Sequence, residues 1–307
     1  MDAHLPPQDY LAVASYFELS WAILSSIGLF TMLMGIWAVL ITRPSPLSYI
    51  PIIVSAAGAV ANGMCYYAFY TSHAAVNRAV ASGFADLLWL VQEAGLSFYS
   101  YQILVHTLRG SIRLVFLLIF WSLMVAIVGL RMAILASRVM EILQGAVSLQ
   151  TAGPLQHQID HLHVGYFSSI ALVETLSAVF LIRLLHKAYL ISPKVSSTRL
   201  VFRYLLRSTE IRAASLCFIG ITRAVTYSLQ VTSQAATTAA AQVDRFAYTM
   251  ECLFPLVMLI DILASKKFSP DLQGMSTYHP ASPGRFRHIR NHTTDSLPQH
   301  RAWVHSP

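Results

Sequence analysis

Two acidic residues, Asp86 and Glu93, stand seven positions apart in an otherwise apolar stretch. On a helix that spacing is about two turns, so both carboxyls share one face, and Trp89, Ser97, Ser100 and Tyr101 extend the stripe. Acids on one stripe in hydrocarbon are suited to proton transfer, because low dielectric and a neighbouring like charge both disfavour their ionised form. The bland alternative is that they join helices or partner Arg131. A second constellation is Arg223 with Glu251. On antiparallel neighbours joined by a short loop these two fall at one depth and form an ion pair, with Tyr227 and Tyr248 about one turn away. Pro255 is expected to kink that last helix and open room near Glu251. Glu174 stands alone near the middle of its own apolar run, with Thr175 or a neighbouring helix as its partner.

Chemistry of this kind needs a dry scaffold, and the composition supplies one. The 307 residues are 55% hydrophobic and 11% charged, against roughly 25% charged in a soluble domain. A mean hydropathy of +0.56 requires repeated apolar spans. A bilayer core takes roughly 20 apolar residues per helix, and seven stretches qualify: 18–42, 49–70, 82–107, 114–136, 164–186, 209–230 and 245–264. The expected fold is therefore all-α, a polytopic seven-helix bundle over residues 1–267. Residues 268–307, rich in Pro, Ser, His and Arg, read as a disordered basic tail. Residues 137–163 read as an exposed loop. Cys65, Cys217 and Cys252 fall in apolar runs and define no disulfide framework. Asp2 and Asp9 without Lys or Arg give no signal-peptide n-region.

Lys and Arg set the orientation. Fourteen of them, from Arg43 through Lys187, Arg207 and Lys267 to Arg301, fall on one side, and only Arg78, Arg138 and Arg245 on the other. The N-terminus is then lumenal and the tail cytoplasmic in an endomembrane, with the endoplasmic reticulum the first expectation. The sequon Asn291-His292-Thr293 lies on the unglycosylated side. The basic residues sit between and after the apolar spans, so they face headgroups rather than nucleic acid. With this orientation Glu18, Asp86, Arg131, Arg223 and Glu251 lie in the outer half of their helices, as do Asn62, Tyr66, Tyr67, Tyr227 and Tyr248. Glu93 and Glu174 lie near the midplane. Intramembrane ionisable groups normally face an interior or a cavity. The expectation is a polar, aromatic-lined cavity from the lumenal face to mid-bilayer.

Several seven-helix functions lack their residues. Lys266 is at the end of the last span, so no lysine is placed for a retinal Schiff base. Val105-His106-Thr107-Leu108-Arg109 is not the acidic-Arg-Tyr signature of rhodopsin-like receptors, and no Asn-Pro-x-x-Tyr follows. No Asp-Asp-x-x-Asp or Asn-Asp-x-x-Asp run is present to hold magnesium on a prenyl diphosphate. In size, span count and placement of acidic groups the chain resembles the fungal membrane-bound terpene cyclases of the ascochlorin and ascofuranone type. That resemblance implies protonation of a terminal epoxide on a farnesyl-type chain attached to an aromatic head, then ring closure, with no metal or cofactor. The lipid-like substrate would enter laterally from the bilayer. The residues fit such chemistry: Asp86, Glu93 and Glu251 as acids, with Glu174 as a further candidate. Asn62, Tyr66, Trp89, Tyr101, Arg223 and Tyr248 would bind substrate, aromatic faces stabilising the cation. Arg223, Tyr227, Tyr248 and Glu251 around a short polar loop also resemble fungal lipid-translocating exporters, which implies export or resistance. A seven-helix receptor is the third expectation, coupled through the basic connection at 187–207.

Overall fold

The structure, a computed structural model, describes residues 9–42, 44–70, 73–144, 155–191, 196–229 and 239–276. Eight helices follow one another: α1 (Asp9–Ile41), α2 (Pro46–Tyr70), α3 (Ala75–Gly95), α4 (Ser97–Thr107), α5 (Gly110–Leu143), α6 (Gln156–Ile191), α7 (Ser196–Leu229) and α8 (Ala239–Ser276). No strand occurs among the described residues. Five helices, α1, α2, α5, α6 and α8, are long and apolar enough to cross a membrane. The chain is an all-helical, membrane-embedded protein. Residues 1–269 form one compact unit and 270–307 another, of which only 270–276, still helical, are described. The expected tail from 268 therefore begins as helix, and its remainder lies outside the described residues.

The solvation pattern is inverted relative to a soluble bundle. Leu40, Phe218 and Val125 are 78%, 70% and 71% exposed, whereas Asp86, Glu93 and Arg131 are at most 2% exposed. Apolar side chains outside and charges inside are stable only where the surroundings are hydrocarbon and each charge has a partner within.

Each boundary has a local cause. Pro44 and Pro46 interrupt helical hydrogen bonding after α1, and Pro46 opens α2 at a first-turn position where a missing N–H costs nothing. Ser25 Oγ donates to the Ala59 carbonyl, at 2.8 Å, and ties α1 to α2. The stretch expected as one span, 82–107, is two helices meeting at Leu96. The break falls beside Gly95, where a Cβ would meet Val54 Cγ2 at 2.8 Å, so α2 packs closely against the end of α3. The i→i+3 bond from Tyr99 N to Leu96 O, 3.2 Å, restarts the chain as α4. Gly110, with φ +65, turns it into α5. The predicted exposed loop 137–163 is mostly helix, because α5 continues to Leu143 and α6 begins at Gln156. Charged and His side chains at those ends lowered the apparent hydropathy, yet Arg138, Glu141 and His163 are buried. α8 runs unbroken through Pro255.

Candidate functional site

The spacing of seven on α3 has a counterpart on α5, where Arg131 and Arg138 are also seven apart. The helices face each other antiparallel, so the two patterns interlock. Arg138 Nη1 reaches Asp86 Oδ1 at 2.8 Å, and Arg131 Nη2 reaches the same oxygen at 3.1 Å. Arg131 Nη1 also meets Glu93 Oε2 at 3.4 Å, while its Nε donates to the Asp86 carbonyl at 3.0 Å. Asp86 Oδ2 accepts no hydrogen bond.

Arg223 on α7 carries the network across the bundle. One nitrogen, Nη1, donates to Glu93 Oε1 and to Glu251 Oε2, both at 2.7 Å, and Nε meets Asp244 Oδ1 at 3.4 Å. The two glutamate oxygens are therefore no more than about 5.4 Å apart, twice that bond length. Asp244 also accepts from Thr226 Oγ1 at 3.2 Å. Three guanidiniums thus meet four carboxyls, those of Asp86, Glu93, Asp244 and Glu251. Aromatic rings cover the cations: Arg223 lies 3.9 Å over Phe167 and 4.8 Å over Tyr248, and Arg131 lies 5.1 Å over Tyr166 and 5.5 Å over Trp89. These faces stabilise the protein's own charges.

A neutral cluster borders the ionic one. Trp89 Nε1 donates to the Tyr248 hydroxyl at 2.8 Å, and that hydroxyl lies 2.9 Å from Asn62 Oδ1 and 3.0 Å from Gln92 Oε1. One hydroxyl proton serves one of these two acceptors at a time. Asn62 Nδ2 is buried without a partner. On the other flank, His163 Nδ1 is 2.8 Å from the Ile159 carbonyl. A carbonyl only accepts, so Nδ1 carries the proton and Nε2 is left to accept from Arg138 Nη2 at 3.4 Å. The His163 ring stacks on Tyr227 at 4.6 Å.

Glu174 differs from the other buried acids. Its Oε1 accepts from Ser97 Oγ at 2.6 Å, and no guanidinium lies within ion-pair distance of it among the described residues. It shares a void of about 10 Å³ with Glu93, Arg223 and Glu251, walled by Leu96, Phe167 and Leu216 among others. Closer to α8's far end, Arg212 meets Asp261 at 3.1 Å and lies 4.3 Å over Tyr99. Ser208 also donates to Asp261.

Among the described residues, these groups border a small void rather than the expected open cavity. Among these residues, the acids and arginines pack against one another around that void. A larger opening lies elsewhere: a lateral apolar groove of about 500 Å³ between α2, α3, α4 and α5, with Gln102 among its lining residues. The α3–α4 junction is the partition, since Ala94, Gly95 and Phe98 face the groove and Leu96 faces the void. Asp86, Glu93, Glu251, Arg223, Trp89, Tyr248 and Asn62 are thus brought together. Tyr66 and Tyr101 are not. The buried stripe of α2 follows Ala61, Cys65 and Ala68, leaving Tyr66 off it and 37% exposed. Tyr101 follows the break at Leu96, which shifts its phase, and it stacks on Phe120 at 4.5 Å and accepts from Trp121. The side chain of Glu18 lies outside the described residues.

Arg138, Asp244, Gln92 and His163 belong to the site without having been singled out for it, and Ser97, named on the α3 stripe, proves to be the partner of Glu174. The matched sevens of α3 and α5 were the available signal for Arg138, and Asp244 lies seven before Glu251 on α8. Nothing in the spacing points to Gln92. No family model matches the chain, and neither the curated proteins nor the solved structures include a significant match.

Proposed function

We propose that the chain is a metal-independent terpene cyclase of the membrane, acting on an epoxidised prenyl chain carried by an aromatic head group. The observation that carries this reading is Glu174: a carboxyl 3% exposed, bonded to a serine and without a guanidinium pair among the described residues, with the α3–α4 junction between it and an apolar groove of about 500 Å³. Asp86 and Glu93 are each clamped by two arginines. Their carboxyl groups are thus engaged by guanidiniums rather than turned toward a substrate. The acid role therefore moves to Glu174, and Glu251, held by Arg223 alone, is the proton acceptor. Glu174 gives its proton to the epoxide oxygen, the C–O bond breaks as the chain's alkene attacks, and the final cation loses a proton to the Glu251 carboxylate. The product is an isomer of unchanged mass. The prenyl chain enters through the groove, and the α3–α4 junction swings aside to admit its epoxide end.

In this reading α3–α4 and α7 also cross the membrane and bring the five spans to seven. Their charges depress hydropathy but are largely neutralised within the bundle, so seven spans place the N-terminus in the lumen and the tail in the cytoplasm of the endoplasmic reticulum. The test is microsomal expression with a prenylated aromatic epoxide, scored by mass spectrometry and NMR. Wild type yields an isomer, and Glu174→Gln at normal abundance yields none. Turnover by Glu174→Gln at the wild-type rate removes the assignment, and no isomer from any such substrate removes the cyclase.

A second reading is lipid translocation. The close packing of the charge network among the described residues favours it, since ion pairs among several helices can exchange partners as helices move. Transbilayer movement of a labelled lipid in proteoliposomes, without chemical change, distinguishes it.

A further inference from the structure

The void shared by Glu174, Glu93 and Glu251 has a size and lining of its own. Its volume of about 10 Å³ is close to the least that admits one water, which also needs polar partners around it. Three carboxyls and the Arg223 guanidinium border it, on α3, α6, α7 and α8. With the α3–α4 junction in place, a prenyl chain cannot enter so small a space.

The charge count supplies the second half. Asp86, Glu93, Asp244 and Glu251 make four potential negative charges, and Arg131, Arg138 and Arg223 make three positive ones. Glu93 has a second guanidinium in Arg131, and Asp244 has a hydroxyl donor in Thr226. Among the described residues Glu251 has Arg223 alone, through a nitrogen it shares with Glu93. The fourth charge is therefore the one most readily neutralised by a proton, at Glu251. The charged and titratable groups facing Glu251 are Arg223, Glu93, Asp244, Tyr166, Tyr248 and Cys252. Those facing Glu174 are Arg212 and, across the void, Glu93, Glu251 and Arg223, with Ser97 as its hydrogen-bond partner.

We propose that this void is a proton-exchange site, in which one water passes a proton between Glu174 and Glu251. When Glu174 gives its proton to the water, the water gives one of its own to the Glu251 carboxylate. Glu174 becomes the carboxylate, Glu251 the neutral acid, and the water is regenerated. The negative charge moves from α8 to α6 without any charge leaving the interior. Arg223 thus gains or loses a carboxylate partner on α8 according to where the proton sits. The exchange needs no substrate, so it stands or falls apart from the cyclase reading.

Infrared spectroscopy of the full-length protein in lipid nanodiscs tests this. In wild type at neutral pH, a protonated carboxyl band that disappears in Glu174→Gln should shift on transfer to D₂O. Glu251→Gln removes the exchange partner while keeping size, and Leu216→Phe fills the void while leaving both acids in place. Each should slow deuteration of Glu174 at least tenfold, with helical content unchanged. An unaltered deuteration rate in whichever of the two folds overturns the proposal. So does a wild-type spectrum with no exchangeable band assigned by Glu174→Gln, which needs neither of the other variants.

Discussion

Removing the Arg223 side chain tests how the buried charges are held. In Arg223→Met, Glu93 retains Arg131 at 3.4 Å, but Glu251 and Asp244 lose the one guanidinium within ion-pair distance of them among the described residues. Breaking a buried pair by deleting one partner costs about 3–5 kcal/mol. Protonation of the orphaned Glu251 relieves part of this, so the lower end applies. A loss of about 3 kcal/mol lowers the folding constant roughly a hundredfold, at 1.36 kcal/mol per factor of ten. Glu251→Gln in the wild-type background should cost less, because Arg223 keeps Glu93 and Asp244. Combined with Arg223→Met it should recover about 1–2 kcal/mol, a coupling within the range for residues in one network. The comparison is Arg212→Met, whose partner Asp261 has a side chain 14% exposed and should suffer less. Reversible unfolding in mixed micelles, followed by circular dichroism, measures all four variants and their double-mutant cycle. Additivity within about 0.5 kcal/mol, or an Arg223→Met cost no greater than that of Arg212→Met, refutes the reasoning.

Protease applied to sealed microsomes should trim the tail after Lys267 and spare the N-terminus, and cleavage of the N-terminus alone overturns the orientation. Tyr248→Phe removes the hydroxyl shared by Trp89, Asn62 and Gln92 and should cost about 1–3 kcal/mol in the same unfolding assay. A neutral result there would mean the cluster is not closed around that hydroxyl. Gly95→Ala places a Cβ 2.8 Å from Val54 Cγ2 and should destabilise by about 1–3 kcal/mol. Val54→Ala in the same chain should recover most of it, and failure to do so would locate the strain elsewhere.

Helical segments were legible because each satisfies a length and hydropathy requirement, and every apolar run contains an observed helix. The division at Leu96 was not, since an isolated glycine in an apolar run does not by itself predict a break. The break coincides with the close approach of α2 to Gly95, a tertiary fact. That division explains why Tyr101, in phase with Glu93 on an unbroken helix, faces α5 instead. Ends of spans were misjudged where Arg138 and His163 lowered hydropathy; both are buried and bonded to each other. The Arg223–Glu251 contact was legible from depth alone. Whether such groups surround a ligand or one another was not, because that depends on how side-chain volumes fill the interior.

The matched spacing on α3 and α5 restricts how these two helices can move. Their contacts recur every seven residues, about 10.5 Å of helix at 1.5 Å per residue. A slide by one turn, about 5.4 Å, would set Arg131 and Arg138 between carboxyls and against apolar side chains. The next position in which any charge again finds an opposite one is about two turns away, with half of the pairs lost. These two helices therefore behave as a toothed rack with very coarse pitch, and piston-like displacement between them is blocked. Rearrangement is left to rotation about the helix axes or to bending where α3 gives way to α4. The one residue separating those helices, Leu96, is thus the pivot about which α4 can swing while the charged half of the bundle stays fixed.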